Sequence, residues 1–360
     1  MKHIVIVSLS AGAGHVRAAQ AVQNTAETFY KSKTKITHID LKDYVSLPMK
    51  KILIDSYDLV IKQAPEVWGF LYQKTNSISA STRFKQLANA LKKINSSKFI
   101  KHIQLLNPDH VLFTHFLPAE IYSGLKLEKN LPDFSILITD YGLHELWVIE
   151  RAKHYFVATS KIAWKLKERL VNQKSINVTG IPVDPIFFKR SNIPALKKQH
   201  KIKKNTKVVL TLSGGGGLTD LSIVVASLFS YKKQLHIFAV AGKNKKLYKK
   251  LQQLTPPKNI TLVILEWVDN IDQYINMADI VVGKCGGMTT TECLTTKTPL
   301  IAINPIPGQE EQNAQYIVEH NLGAIAQSKE DILYYLQEYK NKPTLKITSA
   351  AKSILNKILE

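Results

Sequence analysis

With 360 residues, 45% of them hydrophobic and 21% charged, the chain has a folded globular composition and the length of two domains, and it is neither disordered nor collagen-like. No run approaches the ~20 consecutive apolar residues that a spanning helix needs. The excess of 49 Lys and Arg over 28 Asp and Glu, a formal +21, favours an anionic partner, nucleic acid or a membrane surface, and says nothing of the fold.

That charge is spread, +12 over residues 1–190 and +9 over 191–360. One stretch stands out: Val67 to Pro108 contains no acid but holds Lys74, Arg83, Lys85, Lys92, Lys93, Lys98 and Lys101. The opening "MKHIVIVSLSAGAGH" has a short apolar run ending in a glycine turn, which is not a secretory signal. Cys285 and Cys293 form neither a disulfide framework nor a zinc pattern, so two buried reduced thiols in a reducing cytoplasm are expected.

In chain order, strands are predicted at His3–Ser8, Ile36–Asp40, Val111–Thr114, Ser135–Thr139, Tyr155–Ala158 and Ile176–Thr179. A second set follows at Val208–Leu212, His236–Ala241, Thr261–Leu265, Ile280–Gly283 and Leu300–Ile303. They are continuous apolar runs separated by helical patterns, the signature of parallel strands covered on both faces. The basic, polar stretch at 189–205 separates the two sets. The expected organisation is a first domain over 1–190, a second over 191–343, and a final helical stretch, roughly Thr344–Leu359 within 344–360, that packs back across the boundary. Two such α/β domains facing each other hold a ligand in the cleft between their strand carboxyl ends.

After the first strand comes Ser10-Ala11-Gly12-Ala13-Gly14-His15, then a helix. Glycines allow a tight turn and a close ligand approach at the helix start. Asp40 at the end of the second strand invites a dinucleotide reading, but Arg17 stands where the third glycine belongs. His15 is either a general base, its ordinary pKa of ~6.5 lying near working pH, or a helix-start imidazole satisfied by backbone. The Thr139–Trp147 cluster, with Asp140 and His144, follows a buried strand and suits a site. Asp140 serves equally as a helix cap, and its spacing from His144 equally gives a helical i, i+4 contact.

In the second half, Ser213-Gly214-Gly215-Gly216-Gly217 is a glycine loop without the Gly-Lys-Ser/Thr ending of a P-loop, although its free amides suit a phosphate-bearing ligand. Val282 to Glu292 reads as strand, glycine turn and helix start, whose first amides and positive end face a diphosphate, with Glu292 placed for ribose hydroxyls. Pro305–Asn313 opens another helix with acids. Together these elements outline a sugar-nucleotide pocket.

The segments "GAGHVRAA", "TDYGLHELW", "VTGIPVDPIF", "VAGKNKKL", "ADIVVGKCGGMTTTE" and "PIPGQEEQNA", in this order, resemble the diacylglycerol glycosyltransferases of family 28. That family includes bacterial processive diacylglycerol β-glucosyltransferases and plant monogalactosyldiacylglycerol synthases. The resemblance implies a GT-B fold: two Rossmann-like domains with mainly parallel sheets facing a central cleft, the first for the acceptor and the second for the donor. It implies inverting transfer of a hexose from a UDP-sugar to the 3-hydroxyl of diacylglycerol. His15 matches the family's general base, and Asp140 and His144 its acceptor-side segment. Gly214, Gly215 and Gly216 match the loop near the diphosphate, while Gly286, Gly287, Met288, Thr289 and Thr290 match the diphosphate-binding helix start. Glu292 matches the ribose acid, and Gln309, Glu310 and Asn313 line the donor sugar. Trp267 and Val268 fall where uracil packs, and Lys284 adds charge if it points inward.

With no convincing set of metal-ligating carboxylates, a donor site built on a helix end is expected to need neither metal nor cofactor. Given a lipid acceptor, the basic segment 83–101, with Phe84, Leu87, Leu91 and Ile94 at helical spacing, is expected to dock on an anionic membrane, although a core-facing stripe with a solvated basic face gives the same pattern. The expected location is the cytoplasm, at the inner face of the cell membrane, with no nucleic-acid partner. Two rivals remain: a polyprenyl-diphosphate-linked acceptor on the same fold, and a non-enzymatic basic module binding anions or membranes.

Overall fold

The computed structural model describes residues 1–10, 12–45, 98–189, 191–214, 220–308, 310–339, 343–345 and 347–360. They divide into one unit of Met1–Pro185, Ile306–Gln309 and Thr348–Glu360, and a second of Ile186–Pro305 and Glu310–Ile347. The main division thus falls at Pro185/Ile186, ahead of the basic stretch where the sequence suggests it.

The first unit is built on β1 (Lys2–Ser8), β2 (Thr34–Asp40), β3 (His110–Phe113), β4 (Phe134–Leu137), β5 (His154–Val157) and β6 (Ile176–Val178). They pair in the order β2-β1-β3-β4-β5-β6, and every pairing is parallel. Val5 and Val7 enter a core with Phe113, Tyr122 and Phe134. Ile4 and Ile6, equally buried, take the opposite face by the period of two. Helix α1 (Gly14–Phe29) buries small residues, Ala18, Ala19, Ala21 and Ala26, and packs on β1 and β2. Helices α2 (Phe116–Leu125) and α3 (Ser160–Lys167) follow β3 and β5.

The chain leaves β1 toward β2 on one side and returns to β3 on the other. The β1/β3 boundary is therefore a switch point, where loops after the strand carboxyl ends part and leave room for a ligand. His15 follows β1, and the Thr114-His115 pair follows β3.

The second unit holds β7 (Lys207–Leu212), β8 (Leu235–Val240), β9 (Ile260–Leu265), β10 (Ile280–Gly283), β11 (Leu300–Ile303) and β12 (Gly323–Ala326). The all-parallel order is β12-β11-β10-β7-β8-β9, which puts its switch point between β7 and β10. Its helices are α4 (Ile193–Gln199), α5 (Leu221–Leu228), α6 (Lys245–Gln252), α7 (Ile271–Met277), α8 (Gly287–Thr296), α9 (Glu311–Glu319) and α10 (Lys329–Glu338). Gly283 pairs with Leu212, and a Cβ there would lie 2.4 Å from the Leu212 carbonyl oxygen. Glycine is what lets β10 close on β7 at the switch point.

The last helix, α11 (Ala350–Leu359), belongs to the first unit and packs on α1. Lys2 Nζ donates to the Leu359 carbonyl at 2.8 Å, and Tyr30 Oη to Asn356 Oδ1 at 2.7 Å. The helix begins later than its sequence pattern suggests, because Ser349 accepts from the Lys352 amide and caps it.

Candidate active site

His15 lies in the first turn of α1. It lies against Thr114, just past the end of β3, and Thr114 holds both the backbone and the ring of the histidine. Thr114 Oγ1 donates to the His15 carbonyl at 3.0 Å, and the Thr114 carbonyl stands 2.6 Å from His15 Nδ1. A carbonyl only accepts, so Nδ1 carries the proton and Nε2 the lone pair. Thr139 Oγ1, from the turn after β4, lies 3.1 Å from the same Nδ1. The His115 ring meets His15 edge-on at 4.6 Å, and Trp147 lies 6.1 Å away. Enclosure pushes the His15 pKa down to about 4, against the raising effect of the Thr114 bond.

Asp140 is half-buried in the turn after β4, and His144 is buried nearby in sequence. Residues 140–144 form an irregular turn rather than a helix. His144 Nδ1 accepts from the Leu146 amide at 3.2 Å and caps the short 3-10 turn Glu145–Trp147. Glu145 is paired with Arg169, and Trp147 is carried against His15. Asp40, the ribose candidate of the dinucleotide reading, spends Oδ1 on the amides of Lys42 and Ser10 at 3.1 and 3.3 Å. That is a turn-holding role.

In the second unit, the β7/β10 switch point gathers the donor candidates. Gly214 has φ +76°, a left-handed conformation that favours glycine. A Cβ on it would come 3.5 Å from Lys284 Cδ. Lys284 is buried, its Nζ 3.4 Å from Glu310 Oε1, and Glu310 is buried too. Lys284 thus points inward, with Glu310 beside its charge. Gly286 caps α8 without any side-chain hydrogen bond, and no acid stands in the first turn. The first amides of α8 therefore lack intrahelical partners and form its positive end.

Gly287 and Met288 are buried, Thr289 is half-buried, and Thr290 Oγ1 donates to the Cys285 carbonyl at 3.2 Å. Glu292 and Asn313 are buried in α8 and α9. Trp267, at the carboxyl end of β9, is exposed; its Nε1 donates to Asp269 Oδ1 at 2.9 Å, and Lys243 Nζ sits 4.9 Å over its ring. Val268 beside it is half-buried. Both cysteines are free and buried. Among the described residues no group of three His, Cys, Asp or Glu is placed to hold a metal ion.

Several expectations fall on residues outside the described set: Ala11, Gly215, Gly216, Gly217, Gln309 and the basic segment up to residue 97. Residues 98–106 are helical, with Phe99, Ile100 and Ile103 in the core and Lys98 and Lys101 exposed. Among the described residues no helix is long and apolar enough to cross a membrane.

The sequence reading overlooked the pair Thr114-His115. The local sequence offers only a hydroxyl and an imidazole just after the apolar run Val111–Phe113; their closeness to His15 comes from the pairing of β1 with β3.

Residues 15–183 match the family model for monogalactosyldiacylglycerol (MGDG) synthase, and residues 199–357 that for the glycosyltransferase family 28 C-terminal domain. The processive diacylglycerol β-glucosyltransferase of Bacillus pumilus is 26% identical, covering 100% of this chain and 95% of its own. That of Bacillus subtilis is 24% identical, covering 92% and 85%. Among solved structures, Acinetobacter baumannii MurG superposes with a TM-score of 0.59 at 11% identity, covering 99% of each chain. The UDP-GlcNAc 2-epimerase of Neisseria meningitidis, bound to UDP-GlcNAc, gives 0.60 at 13%, covering 100% of each. The likeness to solved structures is one of fold, the GT-B fold of two Rossmann-like units in series.

Proposed function

The chain belongs to the diacylglycerol glycosyltransferases of family 28, and we propose that it transfers a hexose from UDP-glucose or UDP-galactose to the 3-hydroxyl of 1,2-diacylglycerol with inversion. The observation that carries the mechanism is the 2.6 Å contact of His15 Nδ1 with the Thr114 carbonyl. It fixes the tautomer whose Nε2 accepts a proton.

In a single displacement, the acceptor oxygen forms its bond to the anomeric carbon as the bond to the UDP oxygen breaks. The acceptor proton passes to His15 Nε2, a step typically worth ~10²–10⁴ in rate. The low proton affinity of the enclosed ring fits a late transfer. The acceptor hydroxyl becomes acidic as its oxygen bonds to the anomeric carbon, and the imidazole stays neutral and ready at neutral pH.

The departing diphosphate takes its negative charge to the α8 start, where the Gly286-Gly287 turn and the following amides are fixed donors. Lys284 adds a cation held in place by Glu310. Glu292 binds the ribose, Trp267 and Val268 the uracil, and Gln309, Glu310 and Asn313 the hexose. Asp140 and His144 line the acceptor side. With its charge stabilisation built from amides and a lysine, the reaction is proposed to need no metal ion.

The acceptor is a membrane lipid, so the enzyme works peripherally at a membrane surface, proposed to be the inner face of the cell membrane. Mass spectrometry of lipids made by the purified protein from diacylglycerol and a panel of UDP-sugars tests this reading. A hexosyl-diacylglycerol is expected from UDP-glucose or UDP-galactose. Product only on a polyprenyl-diphosphate-linked acceptor would overturn the acceptor assignment.

A further inference from the structure

His115 takes no part in the mechanism above, although it is buried at 6% exposure in contact with the proposed base. Its backbone is extended (φ −140°, ψ 141°), and its Nδ1 accepts from the Leu117 amide at 3.1 Å, capping α2. The cap alone does not require this residue. Ser, Asp or Asn satisfies a helix start better and without burying an imidazole. What those smaller side chains lack is the ring, and the ring has two aromatic neighbours. It meets His15 in an edge contact at 4.6 Å and Phe116 at 4.3 Å. Trp147, 6.4 Å from His115 and 5.7 Å from Phe116, completes the aromatic wall.

We propose that His115 is a positioning residue for His15: its ring, locked by the Leu117 amide and the Phe116–Trp147 wall, keeps the His15 imidazole seated on the Thr114 carbonyl with Nε2 toward the acceptor. This rests on the reading of His15 as the base.

The chain geometry supports it. Thr114 and His115 are consecutive, so one dipeptide holds the backbone carbonyl of His15, its Nδ1 and its ring. With Nδ1 of His115 accepting an amide, the neutral ring carries its proton on Nε2. The charge set against it among the described residues is that of His15, and burial together with that neighbour holds the His115 pKa well below its ordinary value. The pair therefore tolerates at most one imidazolium. A neutral His115 leaves that place for the proton His15 receives during turnover.

Two substitutions separate positioning from capping. His115→Asn keeps an acceptor for the Leu117 amide and removes the ring, whereas His115→Phe keeps a flat ring and removes the acceptor. For His115→Asn, kcat is expected to fall roughly 10- to 100-fold, the scale of a small misplacement, with little change in KM for the UDP-sugar. The acid limb of the pH–rate profile is expected to move up toward the ordinary histidine value as water reaches His15. His115→Phe is expected to recover about tenfold of that loss in kcat, the part that orientation supplies, in spite of a lower Tm.

Wild-type turnover and an unmoved pH profile in His115→Asn would overturn the proposal, as would losses in both variants that simply follow Tm. NMR titration of the His15 ring in wild type and His115→Asn gives a readout independent of substrate. A shift of that titration supports the proposal and its absence contradicts it. Wild-type protein inactive on diacylglycerol would count against the acceptor reading alone.

Discussion

The Nδ1 atom of His15, at the start of α1, stands 2.6 Å from the carbonyl oxygen of Thr114, just past the end of β3. Two adjacent strands of a parallel sheet thereby decide which nitrogen of the imidazole is basic. His15→Ala is expected to lower kcat by roughly 10²–10⁴-fold while UDP still raises Tm as it does in wild type, because ligand-linked stabilisation needs only the formed donor pocket. Steady-state assays and thermal shift check both arms, and full turnover in the alanine variant would remove His15 from the base role.

The buried pair Lys284–Glu310 gives a second prediction. Replacing either residue takes from the other, in a buried setting, the opposite charge beside it, which costs up to about 3–5 kcal/mol. Lys284→Met or Glu310→Leu is therefore expected to lower the unfolding free energy by that order. The double substitution is expected to regain most of that stability and still bind UDP weakly, since the cation is gone. Denaturant unfolding and UDP titration of the three proteins separate the structural share of the pair from its ligand share.

At the β7/β10 junction, Gly283→Ala forces a Cβ to 2.4 Å of the Leu212 carbonyl oxygen, backbone that cannot swing aside as a side chain would. Gly214→Ala meets only the flexible Lys284 stem at 3.5 Å but must hold φ +76°, a strain of about 1–2 kcal/mol. Both lower Tm, Gly283→Ala by more. Equal losses would contradict the account of close strand approach.

Acid stability follows from buried neutral imidazoles. Burial pushes the pKa of His15 down to about 4, that of His110 to about 3 and that of His236 to about 4. Unfolded, these rings titrate near 6.5, so between there and about 4 the unfolded chain binds more protons than the folded one. Stability is then full above 6.5 and falls as pH drops, by up to about 1.4 kcal/mol per pH unit for each such group. Tm measured from pH 7.5 to 5 is expected to decline steadily below 6.5. A flat curve would mean that these rings are charged in the fold.

Activity is expected to survive chelation. Turnover in excess EDTA within about twofold of the untreated rate fits a donor site of amides and lysine. Loss in EDTA restored by a divalent cation would contradict it.

Most strands were legible because a strand of a covered parallel sheet is apolar on both faces, as the runs Ile4–Val7 and Val208–Leu210 are. The exception is β12, Gly323–Ala326, an edge strand whose glycine and alanines give little apolar signal beside the neighbouring helices. The strand, glycine turn and helix start around Gly286 were legible because a glycine turn before a helix is a local feature. Residues 140–144 were not, since their helical spacing competes with a cap that His144 supplies only once the chain has turned. His115 was hidden for another reason. Its meaning depends on β1 and β3 being neighbours, a pairing of residues far apart in sequence that periodicity does not reveal.

The most direct test is mass spectrometry of the lipid fraction after wild-type protein and His15→Ala, in parallel, receive diacylglycerol vesicles and UDP-glucose or UDP-galactose. The account predicts a hexosyl-diacylglycerol from wild type and next to none from the variant. Equal product from both, or none from the wild-type protein with either donor, would contradict it.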